Sequence, residues 1–434
     1  MFSEKKNVEY KNIVVQWKEF NIPKALTRQV EVSFDSDFII AISGPRRAGK
    51  TYLCFQIMSS LLEKGLPKDN LLYINFEDNK LINANANDLD KLLETFFELF
   101  QPDPKKPIYL FLDEIQAVKN WDAWVRKTND TQKNIKLILT GSSSKLLSRE
   151  LSTALRGRVI NHEIYPLSLK EILAWKNISY DLKIVSYSKE KTQIKKTFNQ
   201  YLKKGGYPAI ITQPLPDESI LQSYYSSILF KDILERYNIK DVNKLKTLAS
   251  LLFESTASEI SYNKLANKLK SLGFDISKNT VIEHISHFED AYLFFQNIKY
   301  EYSLGKQLGS IKKIYCIDNG LLNSVSFKFT ENTGRLMENL AFLELKRRSK
   351  VIYYYRQKHE CDFLVQEKNR VTAAIQVCSD ITSENKEREI SGLLEAMGEF
   401  KLSKGLLLTS EEEKEETING KKIIYKPLWK WLLE

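Results

Sequence analysis

A chain of 434 residues is too long for one ordinary hydrophobic core, so two to four modules are expected. With 43% hydrophobic and 28% charged residues but only 16 glycines and 11 prolines, it is neither disordered nor low-complexity. There is no bilayer-length apolar run, no signal-like N-terminus in MFSEKKNVEY and no CxxC pair among four scattered cysteines, which excludes a membrane span and a zinc site and leads to the expectation of a cytoplasmic protein.

In chain order, residues 1–35 read as a helical N-terminal segment. Asp37 to Ser43 reads as a short buried strand, and Tyr52 to Lys64 as a helix ending at Gly65. Between them GPRRAGKT fits G-x-x-x-x-G-K-[ST], in the strand–loop–helix context the motif needs. Gly44, Pro45, Arg46, Arg47, Ala48, Gly49, Lys50, Thr51 and Tyr52 are therefore expected to cradle phosphates. Lys50 supplies a point charge for the β/γ-phosphates, and Thr51 a hydroxyl for Mg²⁺. The next strand, NLLYINFED, ends in Glu77 and Asp78, which read equally well as solvated turn acids. PIYLFLDEIQ is a further apolar strand ending in Asp113, a candidate Mg²⁺ holder, and Glu114, a candidate activator of water. The strand in IKLILTGSSSKLL places Ser142 at its tip, where it can sense a γ-phosphate. LRGR offers Arg156 and Arg158 to the same phosphate, in cis or from a second copy; a structural salt bridge is the alternative for each.

Residues 183–204 hold seven lysines against one glutamate, a net of +6, on a segment read as helical. The segment is either a nucleic-acid patch or a solvated helix face. Residues 241–302 carry three helix patterns and lead into a strand pair, the pattern of a winged helix-turn-helix. Residues 240–302 balance eight lysines against eight acids. The third helix, from Ser277, is read as presenting Lys278, Asn279, Thr280, Glu283, His284 and His287, and Lys278 faces Glu283, Glu289 and Asp290, a net of −2. That balance favours a structural or protein-docking role over DNA reading.

The helix TGRLMENLAFLELKRR carries Glu338, and ECDFLVQEKNRVTAAIQVCSD reads as a β-hairpin carrying Asp362, Gln376 and Cys378. The spacing is that of nucleases in which Asp and then Glu-x-Lys hold a metal ion and orient water. Here Gln376 stands for the Glu and Cys378 for the Lys, so a folded, non-cutting site is expected, with Lys386 as a candidate displaced lysine.

GPRRAGKT, LDEIQ, TGSSSKLL, LRGR and YPLSLKEI, followed by GGYP, KDILERY, IYCIDNGLL, GRLMEN and ECDFLV, resemble in order the prokaryotic AAA-type ATPases allied to the STAND group. The resemblance covers nearly the whole chain. It implies an α/β fold: a P-loop NTPase (AAA-type) core at 36–165, a helical lid at 166–240, a winged helix at 241–330 and a C-terminal α/β restriction-endonuclease-like domain at 331–434. It implies ATP and Mg²⁺ as cofactors, and hydrolysis that drives a conformational switch. A nucleotide-gated DNA-binding regulator with little turnover, or an ATP-gated nuclease, is the alternative. A nucleic-acid partner at 183–204, a protein partner and a homo-oligomer are compatible with it; a membrane partner is not expected.

Overall fold

The structure is a computed structural model and describes residues 2–32, 37–144, 157–213, 217–326 and 332–434, with side chains from Lys6 onward. The chain divides into two compact units, Met1–Ile164 and Tyr165–Glu434. No helix among the described residues is long and apolar enough to cross a membrane.

The first unit is built on five parallel strands in the order β2-β3-β4-β1-β5: β1 (Ile39–Ser43), β2 (Leu71–Asn75), β3 (Ile108–Asp113), β4 (Ile135–Gly141) and β5 (Val159–Glu163). IIAIS and IYLFLD are buried at every position, because helices cover both faces of a parallel sheet and neither face can be polar. The helices are α1 (Phe2–Glu19), α2 (Lys50–Glu63), α3 (Ala86–Leu99) and α4 (Trp121–Thr131). α1 belongs to this core: Tyr10, Ile13, Val14 and Trp17 are buried in it, and the Trp17 indole N–H donates to the Leu71 carbonyl at 2.6 Å. Asp88, in the first turn of α3, accepts from Tyr10 and Lys6 and also caps the Asn85 N–H at 2.8 Å. In this strand order the C-terminal ends of β3, β4 and β1 stand side by side, where α/β sheets gather ligand groups.

Among the described residues the second unit holds one nine-stranded mixed sheet, in the order β13 (Lys414–Ile418), β14 (Lys421–Pro427), β12 (Lys404–Thr409), β11 (Arg370–Val377), β10 (Glu360–Glu367), β9 (Val351–Arg356), β7 (Phe294–Lys299), β8 (Lys312–Cys316) and β6 (Ser258–Ile260). The helices Val242–Glu254, Tyr262–Ser271 and Lys278–Asp290 are each N-capped by a side chain, Asp241, Ser261 and Ser277 respectively. β6 (Ser258–Ile260) lies between the first two of them, and β7 (Phe294–Lys299) and β8 (Lys312–Cys316) follow the third. Strand β7 then pairs in parallel with β9 (Val351–Arg356), Ile298 opposite Tyr353, so these strands and the C-terminal strands share one sheet. His284 and His287 are buried rather than presented: their helix turns them inward, and His287 stacks on Tyr237 with ring centroids 3.6 Å apart. The basic helix is shorter than expected, Lys191–Lys204, because 183–190 forms turns.

The hairpin forms as read. β10 (Glu360–Glu367) and β11 (Arg370–Val377) are antiparallel, with Phe363 opposite Ile375. Behind them, the helix Thr333–Arg347 is buried from Leu336 to Leu345. The helix Lys386–Glu399 approaches β10 so closely at Gly392 that a Cβ there would lie 1.8 Å from the Glu360 carbonyl oxygen.

Candidate functional site

The loop between β1 and α2 is shaped by two glycines. Gly44 has a φ of +155°, and a Cβ on it would meet the Ile164 carbonyl oxygen at 2.2 Å; Gly49, at φ 98°, caps α2 in the left-handed region. Lys50 is the first helical residue and is buried. Its ammonium donates to the carbonyls of Gly44 and Pro45, both at 3.2 Å, and lies 3.3 Å from the Glu114 carboxylate. Thr51 donates its hydroxyl to Asp113 at 2.7 Å. Arg46 is held by Glu77 at 2.6 Å, so one of the two acids at the β2 end joins the loop; Asp78 instead caps a short turn through the Lys80 N–H. Arg47 sits at φ 68°, Ala48 is buried, and Tyr52 is half exposed with its ring edge on Phe55.

Asp113 ends β3 and is enclosed by three hydroxyls, those of Thr51, Tyr73 at 2.8 Å and Thr140. Burial raises its pKa, the neighbouring Glu114 charge adds to this, and the three hydroxyls oppose both. Glu114 follows at φ 54°, a costly conformation for a non-glycine residue, fixed by its own N–H donating to Thr140 Oγ1 at 2.9 Å. Burial alone would raise its pKa, but Lys50, the Gln116 amide and Arg46 together hold the carboxyl below its usual range. Ser142 is buried just past the tip of β4, two residues beyond Thr140. The structure thus brings together Lys50, Thr51, Asp113 and Glu114, with Ser142 at the adjacent strand tip.

Arg158 is not part of this group. Its carbonyl accepts from the N–H of Ile39, the first residue of β1, whereas the glycine loop follows the last, roughly 15 Å away along a five-residue strand. Its side chain pairs with Asp130. In cis it therefore takes the salt-bridge reading. Arg156 lies outside the described residues.

Three contributors escaped the sequence reading. Thr140 and Tyr73 looked like ordinary strand residues. Arg28 is buried in the segment before β1, where nothing in the sequence marks it. Its guanidinium donates to the Ala48 carbonyl of the glycine loop at 2.7 Å, and its backbone N–H donates to the Gln56 side chain of α2, also at 2.7 Å.

A second cluster lies in the other unit. Glu338, Glu360 and Asp362 converge on the ammonium of Lys313, at 2.9, 2.6 and 2.9 Å. Burial opposes the Lys313 ammonium, but Asp362 and then Glu338 outweigh it and hold its pKa well above the usual range. Burial pushes both the Glu338 and the Asp362 carboxyls up. Gln376 accepts from the Asp362 N–H at 3.1 Å and donates to Glu389 at 2.7 Å, so it ties two acids together rather than facing outward. Cys378 lies one residue beyond β11 with its thiol pushed up by burial to about 11, which removes it as a nucleophile near neutral pH. Lys386 is not the displaced lysine, for it pairs with Glu416 at 3.0 Å on another part of the surface. The lysine in the cluster is Lys313, from β8. Its sequence signal was faint: Lys313 and Tyr315 share one face of the otherwise apolar strand end KKIYC, and Tyr315 also donates to Glu338, at 2.7 Å.

A parallel sheet with a glycine loop, a helix-borne lysine and threonine, and an acid pair on a neighbouring strand define a P-loop nucleotide-binding unit. Residues 36–173 match the model of an AAA domain; residues 195–332 and 333–430 match two domains of unknown function, DUF8612 and DUF4143. The uncharacterized protein MJ1544 of Methanocaldococcus jannaschii is 38% identical over 94% of this chain and 91% of its own length. An uncharacterized protein of Haemophilus influenzae is 30% identical over 92% of this chain and 95% of its own. The chain belongs to the family of these proteins; in this chain the AAA domain precedes the two further domains. Among solved structures, a Walker-type ATPase of Pyrococcus abyssi shares 13% identity, with a TM-score of 0.44 over 73% of this chain and 94% of that one. The ORC2 protein of Aeropyrum pernix shares 11%, with a TM-score of 0.38 over 72% and 89%.

Proposed function

We propose that the protein is a Mg²⁺-dependent ATPase whose nucleotide state controls what the second unit binds. The observation that carries this reading is the Thr51–Asp113 hydrogen bond at 2.7 Å beside the Lys50–Glu114 pair at 3.3 Å. Thr51 and Asp113 are the oxygen donors that would hold Mg²⁺, directly and through water, and the ion would neutralise charge on the β- and γ-phosphates. Lys50 would take the phosphates, and Glu114, kept ionised by its neighbours, can accept a proton from an attacking water. Ser142 is the γ-phosphate sensor in this reading, and Arg156 is the cationic partner supplied in cis or from a second copy. A steady-state assay of phosphate release by the full chain, with and without DNA, tests it. Turnover that requires Mg²⁺ and is lost in Glu114→Gln supports the reading; a protein that binds ATP yet never turns over rejects it.

A second reading, a nucleotide-gated DNA-binding regulator, is favoured by one observation. The helix Lys191–Lys204 lines a shallow groove of about 530 Å³ with Lys195, Lys196, Asn199, Lys203 and Lys204. Lys195 and Lys204 are paired there with Glu411 at 2.6 Å and Asp217 at 2.5 Å, and Lys196, Lys203 and Lys204 are exposed. The restriction-endonuclease-like reading of residues 331–434 rests on the hairpin with Asp362 and on the buried helix carrying Glu338. In this reading the domain binds without cutting, because Gln376 and Cys378 supply neither a carboxylate nor a cation.

A further inference from the structure

In the nucleases whose spacing Glu338, Asp362 and Gln376 share, a divalent ion sits between the carboxylates. The residues present here do not fit such an ion. The Lys313 ammonium donates to Glu338 Oε1 and Asp362 Oδ1, both at 2.9 Å, and forms a third ion pair with Glu360 Oε1 at 2.6 Å. Part of the remaining ligand capacity is committed. The second Asp362 oxygen accepts the Val377 N–H at 3.0 Å, and the Gln376 carbonyl accepts the Asp362 N–H at 3.1 Å, while Tyr315 adds a second donor, at 2.7 Å, to the Glu338 Oε1 that Lys313 already holds. A divalent ion would need these same oxygens at about 2.0–2.6 Å, hard against a positive charge.

We propose that Lys313 is the resident cation of this cluster. Its ammonium occupies the point where the three carboxylates converge, so the native protein takes no divalent ion there, and the acids become a divalent-ion site only when the ammonium is removed. The lysine is enclosed. Its strand, one in from the β6 edge of the sheet, is paired on both sides, with Lys313 opposite Asn297 of β7 and opposite Glu259 of β6, and its side chain is 2% exposed. Beside the cluster, a cleft of about 570 Å³ is lined by Glu338, Glu389, Arg335 and Arg388. The cluster is thus closed by charge, not by the loss of its acids. This inference does not depend on the ATPase reading.

The test uses the nucleotide-free full chain and Mn²⁺ as the probe, with bound ion measured by paramagnetic resonance and stability by thermal unfolding. Wild type and Asp362→Asn are expected to bind the same amount of Mn²⁺. Lys313→Met is expected to gain one Mn²⁺ at least tenfold tighter than any site in the wild type, with an unfolding midpoint that rises on adding the ion. That gain should vanish in Lys313→Met/Asp362→Asn. Lys313→Gln, which keeps hydrogen-bonding capacity, serves if Lys313→Met does not fold. Wild-type binding that is lost in Asp362→Asn overturns the proposal, as does a folded Lys313 variant with no gain. If neither variant folds, the comparison of wild type with Asp362→Asn decides: equal binding upholds resident-cation closure, unequal binding rejects it.

Discussion

The Lys50 ammonium lies 3.3 Å from the Glu114 carboxylate, and both groups are buried. The residue suited to take phosphates therefore holds the residue suited to activate water. Phosphate oxygens arriving at Lys50 would compete with Glu114 for the same charge, and on the proposed reading binding would release the base. Lys50→Ala is expected to abolish measurable ATP binding. Glu114→Gln removes the competitor and the base together: affinity is kept or rises, and turnover falls by about 10²–10⁴-fold, the usual contribution of a general base. Nucleotide affinity and phosphate release measured on both variants check this; undiminished turnover in Glu114→Gln would remove that residue from the mechanism.

Arg28 bonds the glycine loop at the Ala48 carbonyl and α2 at Gln56, in each case at 2.7 Å. Arg28→Ala is expected to lower the stability of the first unit by about 1.5–3 kcal/mol, the range for a buried charged hydrogen bond, and to weaken nucleotide binding by loosening the loop. Arg28→Lys should recover part of the stability. Denaturant unfolding and ATP titration on the two variants read this out, and an affinity unchanged in Arg28→Ala would confine the residue to the fold.

DNA affinity, where present, is assigned to Lys191–Lys204 and not to the helix Lys278–Asp290. Reversing Lys196 and Lys203 to Glu should weaken binding and flatten its salt dependence by roughly 0.9 in the log–log slope for each phosphate no longer neutralised. Asn279→Ala should leave both unchanged. A titration at several salt concentrations separates the two surfaces, and the opposite pattern would return the reading role to the helix Lys278–Asp290.

Asp318 is buried and accepts from the backbone N–H groups of Gly206 at 2.7 Å and Leu321 at 2.9 Å. Burial pushes its carboxyl up to about 6, against the pull of those hydrogen bonds. Between about pH 4 and pH 6 the native state holds a proton that the unfolded chain has released, so this group's contribution to stability falls as pH rises through that window and is level above it. Asp318→Asn removes this slope. The wild type's advantage over the variant should be about 2 kcal/mol larger at pH 4 than at pH 7. Urea unfolding of both proteins across that range measures it, and parallel curves would mean that Asp318 titrates normally.

The parts legible in the sequence were those written in one stretch of chain. GPRRAGKT, LDEI and the hairpin around Asp362 each combine periodicity with local residue chemistry, and each formed at its expected place. The parts that were not legible depend on residues far apart in sequence. Arg28 reaches Ala48, and Lys313 reaches Asp362 across 49 positions, through strands whose register no local pattern specifies. His284 and His287 were misplaced for the same reason: which side of a helix is buried depends on what packs against it, and Tyr237 was not visible as their neighbour. Sequence alone determined the nucleotide loop, its acid pair and the presence of Gln376 rather than a carboxylate on the hairpin, because backbone conformation and side-chain charge act within a few residues. Only the tertiary structure decided that a lysine from β8 closes the acid cluster, because which charges meet in a buried site is set by strand order and burial together.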